Sequence, residues 1–195
     1  MNKRLKKNQK KQIIKIPSNI ETFWCTKKRI LILKWLLKRK ALKINPLIQL
    51  ECVQHKIEVM IDGYEKLSNY KKKKIRSLQK MTSAFIKQGL IEVNAPIYQK
   101  LKFVGVGYRA FPVEGFDNGL LLLRLGYSHP IYFRIPSNVN IFCLKLTKVF
   151  IYGHSYNQVT STASKIRINK VPEPYKGKGI LYEHEKITLK EGKKV

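Results

Sequence analysis

The pentapeptide Ile16-Pro17-Ser18-Asn19-Ile20 returns as Ile135-Pro136-Ser137-Asn138-Val139, 119 residues further on. Past it the echo continues at the same offset, pairing Phe23 with Phe142, Arg29 with Lys148, Ile30 with Val149 and Ile32 with Ile151. Each copy opens on a proline turn, runs through a pair of apolar segments of strand length, and is followed by one stretch of helical periodicity. Duplication is the economical explanation. It restricts 195 residues to an α+β fold of two similar modules, each a small antiparallel sheet with one helix packed on a face, plus basic N- and C-terminal extensions. The expected divisions are a basic N-terminal arm over 1–15, a first α+β module over 16–95, a second over 96–170 and a basic C-terminal tail over 171–195.

Local signals fill in the modules. In the second, Ser155-Tyr156-Asn157-Gln158 has capping-box spacing, and Val159, Ala163 and Ile166 then share one helical face; this helix should stop before Pro172. In the first, Ile75, Leu78, Thr82, Phe85 and Ile86 recur at helical spacing, and Gly89 sits where a left-handed C-terminal cap is wanted. Strands are expected over 100–108, 119–126 and 130–135, with Asp117-Asn118-Gly119 marking a hairpin turn.

Charge sets the class of partner. Forty Lys and Arg against twelve Asp and Glu give +28, and that much self-repulsion is best relieved by a polyanion, either nucleic acid or an anionic membrane. Lysine outnumbers arginine 32 to 8, which favours backbone grip over base readout, because ammonium groups meet phosphates as point charges. Lys, Ile, Asn, Tyr and Phe make up 83 residues and Ala only 5, a bias that AT-rich coding DNA produces in mitochondria, plastids, some bacteria and parasite nuclei. Cys25, Cys52 and Cys143 have no metal-ligand spacing with one another or with any histidine, so they are expected to be reduced, small buried apolar groups. The lysine-rich first 15 residues match neither a signal peptide nor a presequence. The apolar run 30–37 is broken by Lys34 and is far short of the ~20 residues a membrane span needs, so a buried strand is expected there.

The most specific stretch is Pro172-Glu173-Pro174-Tyr175-Lys176-Gly177-Lys178-Gly179-Ile180, followed by Lys190, Lys193 and Lys194. The prolines forbid a helix, while Gly177 and Gly179 leave the backbone of Lys176 and Lys178 free to follow an irregular polyanion; Tyr175 offers a ring face to a base or ribose. This segment closely resembles the C-terminal signature of the ribosomal protein L6 (uL6) family in its bacterial and organellar form. The likeness extends upstream, in the family's order, through Leu101-Lys102-Phe103-Val104-Gly105-Val106-Gly107-Tyr108-Arg109-Ala110 and Leu125-Gly126-Tyr127-Ser128-His129-Pro130. The resemblance implies two α+β modules and a structural constituent of the large ribosomal subunit, with no catalysis and no cofactor or metal. It implies as partners large-subunit rRNA near the sarcin-ricin loop and stalk base, neighbouring large-subunit proteins, and translational GTPases in transient proximity, without membrane insertion. Lys170, Lys176, Lys178, Lys190, Lys193 and Lys194 would neutralise phosphates, Tyr175 and Tyr182 would stack, and Tyr108, Arg109 and His129 would form an adjoining surface of the second module. The first module would face mostly neighbouring protein and solvent. With the composition, the resemblance suggests a mitochondrial ribosome and an organelle-encoded chain; plastid or AT-rich bacterial cytoplasm are the alternatives.

Other motifs weigh less. Gly105-Val106-Gly107-Tyr108-Arg109-Ala110 satisfies the dinucleotide fingerprint formally, but Pro112, Gly115 and the Asp-Asn-Gly turn point to another strand where the fingerprint needs a helix. The glycines are therefore expected to permit a bulge or close packing against RNA. Ser128 and His129 lack an acidic orienting partner nearby and do not suggest catalysis. Lys71-Lys72-Lys73-Lys74, placed just before the first helix, suggests a solvated or phosphate-paired loop. The chain also departs from the family. Lys34-Trp35-Leu36-Leu37-Lys38-Arg39-Lys40 lacks the usual turn glycine, 43–69 matches poorly, and Leu181 stands where a basic residue is common. The alternative functional readings are a basic peripheral membrane protein with an amphipathic helical anchor near Lys34, a free nucleic-acid-binding protein, and a nucleotide-dependent enzyme built on Gly105.

Overall fold

The computed structural model describes residues 11–53, 55–61, 68–113 and 119–192. It divides at Ala95–Pro96 into two compact units. Each is α+β, with small antiparallel sheets and one helix.

In the first unit, β1 (Gln12–Lys15), β2 (Glu21–Cys25), β3 (Ile30–Trp35), β4 (Lys38–Lys43), β5 (Ile48–Val53) and β6 (Lys56–Ile61) precede α1 (Asn69–Asn94). They form sheets of order β2-β3-β4 and β1-β6-β5, and α1 packs on elements of both. Alternation decides the faces: Leu31 and Leu33 are fully buried, while Ile30, Ile32 and Lys34 point the other way. Residues 12–15, read from the sequence as part of a basic arm, are β1, paired with β6 from Gln12↔Val59 to Lys15↔Lys56. The remaining arm residues 1–10 lie outside the described residues.

Two further expectations for this unit need correction. Gly89 is not a cap: α1 runs through it to Asn94, because a Cβ there would stand 3.0 Å from Leu33 Cδ1 and 3.1 Å from Leu42 Cδ1, so the glycine serves close helix–sheet packing. Pro96 ends the helix instead. The lysines 71–74 lie in the opening turns of α1, where four cations oppose the positive end of the helix dipole. The glycine-free turn is rebuilt as a two-residue connection, Leu36-Leu37, closed by the pair Trp35↔Lys38, with Leu36 held at φ 51°.

The second unit runs β7 (Ile97–Val104), β8 (Arg109–Pro112), β9 (Leu120–Arg124), β10 (Ile131–Arg134), β11 (Val139–Lys145), β12 (Lys148–Gly153), α2 (Tyr156–Ile168) and β13 (Gly179–Tyr182). Its sheets are β10-β9-β8 and β11-β12-β7-β13. The expected helical face is realised, since Val159, Ala163 and Ile166 are all fully buried against Leu101, Ile151 and Ile180 among others. The capping box is not. Ser155 occupies the N-cap without a side-chain hydrogen bond, and its carbonyl accepts only the ordinary Val159 N–H at 3.1 Å. The strand expected over 100–108 stops at Val104, because Gly105 (φ 154°) and Gly107 (φ 75°) turn the chain before Tyr108. Of the expected Asp117-Asn118-Gly119 turn, 117 and 118 lie outside the described residues.

The repeat is also less regular than its sequence suggests. In the first unit Phe23 pairs with Ile32, but Phe142 pairs with Phe150 and not with Ile151. A bulge between Cys143 and Lys145 inserts one residue, so the equivalence of β3 and β12 slips by one and Phe150 and Tyr152 move to the face of Phe142.

The tail segment, described over 171–192, is built into the second unit. β13 pairs with β7 from Gly179↔Val104 to Tyr182↔Leu101 and puts Ile180 into the core at zero exposure. Gly179 (φ 155°) has no room for a side chain, since a Cβ would lie 2.5 Å from Pro172 Cα. Arg167 at the end of α2 clamps Glu185 through Nη2 (2.6 Å) and Nε (3.2 Å), and the Tyr182 N–H donates to the same carboxylate at 3.2 Å. Partial burial pushes the Glu185 carboxyl upward, but the hydrogen bonds from Arg167 and Tyr182 and the guanidinium charge outweigh it and hold the pKa below the usual value.

The tail's attachment can be tested at both of its fixed points. Gly179→Ala destabilises the chain by at least about 1–3 kcal/mol in urea unfolding, whereas Gly107→Ala, with nothing within 4 Å of the new Cβ, costs only about 1 kcal/mol from its φ of 75°. Because the folded pKa of Glu185 is depressed, its contribution is complete above the unfolded value of about 4.3 and is lost as pH falls through the folded value. The stability gap between wild type and Glu185→Gln should be constant from neutral pH to about 5 and shrink below about 4; a gap unchanged in strong acid contradicts the clamp.

Candidate nucleic-acid interface

The end of α2 and the start of the tail build a cleft of about 400 Å³, lined by residues including Tyr108, Tyr127, Asn169, Lys170, Glu173 and Lys178. Helix α2 stops here because the Asn169 side chain turns back, its Nδ2 donating to the carbonyls of Lys165 (3.1 Å) and Ile166 (3.2 Å). The Asn169 carbonyl in turn accepts the Tyr127 hydroxyl at 3.1 Å. Lys170 Nζ then sits 4.3 Å from the Tyr127 ring centre, and His129 is stacked beside the same ring at 6.1 Å and 19°. A cation, a phenol and an imidazole thus share one exposed ledge.

Beyond Lys170 the loop is ordered by its own backbone. Glu173 N–H donates to Lys178 C=O, Gly177 N–H to Glu173 C=O, Ile180 N–H to Lys170 C=O and Lys190 N–H to Pro174 C=O, each at 2.9 Å. Gly177 meets the turn's demand for φ 69°. Tyr175, 54% exposed, and Lys176 are held at the tip, and Lys178 faces the cleft. The glycines therefore fix one loop shape, where the sequence suggested backbone freedom.

Not every expected site residue joins this surface. Tyr108 is a core side chain, 8% exposed, and the ring occupies the space a Cβ at Gly105 (2.9 Å) or Gly126 (3.0 Å) would need. Those glycines make room for a tyrosine and not for RNA; Tyr108 lines the cleft from the core with 8% of its surface exposed. Tyr182 is half-buried against the core with Arg167 5.4 Å over its ring, so its face is occupied. Arg109 is exposed on β8, directly opposite Arg124 of β9. Lys190 is exposed, while Lys193 and Lys194 lie outside the described residues.

Tyr127, Arg124 and Arg134 were not singled out by the sequence. Strand alternation puts Arg109, Arg124 and Arg134 on the outer face of β10-β9-β8 with Phe111 and Tyr132, the Arg124 guanidinium standing 5.8 Å from the Phe111 ring. The period-two pattern around Leu121 and Leu123 was the available signal. A separate basic groove of about 560 Å³ lies along α1, lined by Lys72, Lys73, Arg76 and Lys80 among others.

Among the described residues no cluster of His, Cys, Asp and Glu could hold a metal, and no helix is long and apolar enough to cross a membrane. Cys25 and Cys52 are exposed and Cys143 half-buried, against the expectation of buried thiols. Burial pushes the thiol pKa of the half-buried Cys143 upward, away from reactivity.

The family profile of ribosomal protein L6 matches residues 104–183, which contain the cleft and most of its loop. Over 151 residues the chain is 40% identical to the large ribosomal subunit protein uL6 of Pelobacter propionicus, covering 77% of this chain and 78% of that one. With the uL6 of Mycoplasmoides gallisepticum it shares 33% identity over 182 residues, 93% of each. With that of Malacoplasma penetrans it shares 43% over 121 residues, 62% of this chain and 64% of the relative, so that match spans less than two thirds of the relative's length. The resemblance seen in the tail signature extends through the duplicated fold, and the chain belongs to the ribosomal protein L6 (uL6) family.

Proposed function

We propose that this chain is a structural constituent of the large ribosomal subunit that binds large-subunit rRNA through its second unit. The family is a structural, non-enzymatic one. The observation that carries rRNA binding is the ledge where Lys170 covers Tyr127 beside His129, continued by Tyr175, Lys176 and Lys178 on a loop with a fixed backbone. A preformed loop spends little entropy on docking, and cations interleaved with ring faces suit phosphates and unstacked bases together. The outer face bearing Arg109, Arg124 and Arg134 extends the same basic surface in kind, and exposed Lys190 adds to it. Lys193 and Lys194 and the arm residues 1–10 belong to the proposal on charge alone.

The finer placement, near the sarcin-ricin loop and stalk base with translational GTPases passing close by, rests on the resemblance of the tail signature. A mitochondrial ribosome rests on the Lys- and Ile-rich, Ala-poor composition, whereas the matched uL6 proteins of Pelobacter propionicus and Mycoplasmoides gallisepticum are bacterial. The membrane reading loses its anchor, because the segment around Lys34 is strand β3. The nucleotide-enzyme reading loses its phosphate loop, because Gly105 and Gly107 lead into strand β8 and enclose Tyr108.

Replacing Lys170, Lys176 and Lys178 together by Gln should lower the slope of log K against log salt by about 2–3 for a large-subunit rRNA fragment, each phosphate contact giving roughly 0.7–0.9. An unchanged slope in filter binding removes these lysines from the interface. Tyr175→Ala should weaken the same complex by about 1–3 kcal/mol if a base stacks there, with no change in melting temperature; equal affinity of the two proteins contradicts stacking.

A further inference from the structure

The face of the sheet β11-β12-β7-β13 turned away from α2 carries a row of four aromatic rings. Phe142 stacks on Tyr152 at 5.5 Å and 6°, Tyr152 adjoins Phe150 at 6.0 Å, and Phe150 stacks on Tyr98 at 5.4 Å. The bulge in β11 brings Phe142 opposite Phe150, and β12 sets Tyr152 opposite Tyr98. None of the four belongs to the core cluster. Tyr98 is 58% exposed, Phe142 48% and the adjoining Leu144 61%. A contiguous aromatic patch that contributes nothing to the core is the signature of an interaction surface.

Two observations decide what covers it. Tyr98–Phe150 and Phe142–Tyr152 are stacked pairs, so each of the four rings already has an aromatic partner, whereas a nucleobase needs a free ring face. Two lysines of the same face are also engaged by Glu183. Lys100 Nζ is 3.3 Å from the Glu183 carboxylate and 5.8 Å from the Tyr98 ring centre, and Lys102 Nζ donates to the Glu183 carbonyl at 3.1 Å. What remains is an aromatic centre with exposed Lys145 and Lys148 at one margin, the anatomy of a protein–protein interface.

We propose that this face docks a neighbouring protein of the same particle, one that presents apolar side chains to the rings and carboxylates to Lys145 and Lys148. The proposal rests on the large-subunit reading above. It gives the second unit two opposed tasks, RNA at the cleft and protein at the aromatic face.

The test is hydroxyl-radical oxidation of Tyr98, Phe142 and Tyr152 in the free chain and in purified large subunits, joined to photocrosslinking from Leu144→p-benzoylphenylalanine in the same subunits. The expected result is oxidation slowed several-fold in the subunit, protection that survives nuclease digestion, and a crosslink to one protein through an acid-rich apolar segment. Rings oxidised equally in both states overturn the docking face while leaving the ribosomal reading intact. A crosslink to nucleotides with protection lost on nuclease treatment assigns the face to RNA and overturns the proposal equally. Absence of the chain from the subunits overturns the ribosomal reading and this inference with it.

Discussion

The pairing of β13 with β7 is the contact that holds the second unit's functional surface in place. It draws a segment rich in lysine, proline and glycine back into a sheet, with Ile180 as the buried anchor beside Leu101 and Phe103 of β7. Without that pairing the loop 173–178 would be a flexible tail, and ordering it on a ligand would cost about 1–2 kcal/mol per residue. With it, the approach of Gly179 to Pro172 and the Arg167–Glu185 clamp set the loop's two ends before any partner arrives. The charged groups then stand on a rigid frame, where they contribute to binding at little entropic cost.

The two units show how one design is put to different uses. Both set an antiparallel sheet against a helix, and the helix is admitted closely by a small residue, Gly89 in α1 facing Leu33 and Leu42, and Ala163 in α2 within the core. Their surfaces diverge through local changes in backbone. A single-residue bulge in β11 collects Phe142, Phe150 and Tyr152 on one face, whereas the first unit pairs Phe23 with Ile32. In the first unit Leu36 takes a left-handed conformation at a hairpin tip where glycine would be unstrained.

The fold was largely legible because its signals are local and repeated. The duplicated Pro-Ser-Asn turns, the helical spacing of Val159, Ala163 and Ile166, and strand-length apolar runs each depend on a few neighbouring residues. What was not legible depended on residues far apart. Gly89 resembles a cap until Leu33 is known to lie against it, and Gly105 resembles a phosphate loop until the Tyr108 ring is seen to fill the space. Tyr182 looked like a free stacking ring because Arg167, fifteen residues earlier, gave no hint of covering it. The candidate site was half legible: Lys170, Tyr175, Lys176 and Lys178 stand where a basic signature suggests, but Tyr127, which organises Lys170 and His129, shows its importance only through contact. The aromatic face needed the strand register, which a one-residue bulge had shifted.

Direct contact between the loop 173–178 and rRNA is the point on which the functional reading of the second unit stands or falls. Ultraviolet crosslinking of purified large subunits, with the adducts mapped by mass spectrometry to residues 170–178, probes that contact without altering the chain. Direct contact leaves a covalent nucleotide adduct on Tyr175 or its lysine neighbours, carrying large-subunit rRNA sequence. A chain that is present in the subunits but carries adducts only elsewhere, or whose Tyr175 crosslinks solely to protein, would refute it.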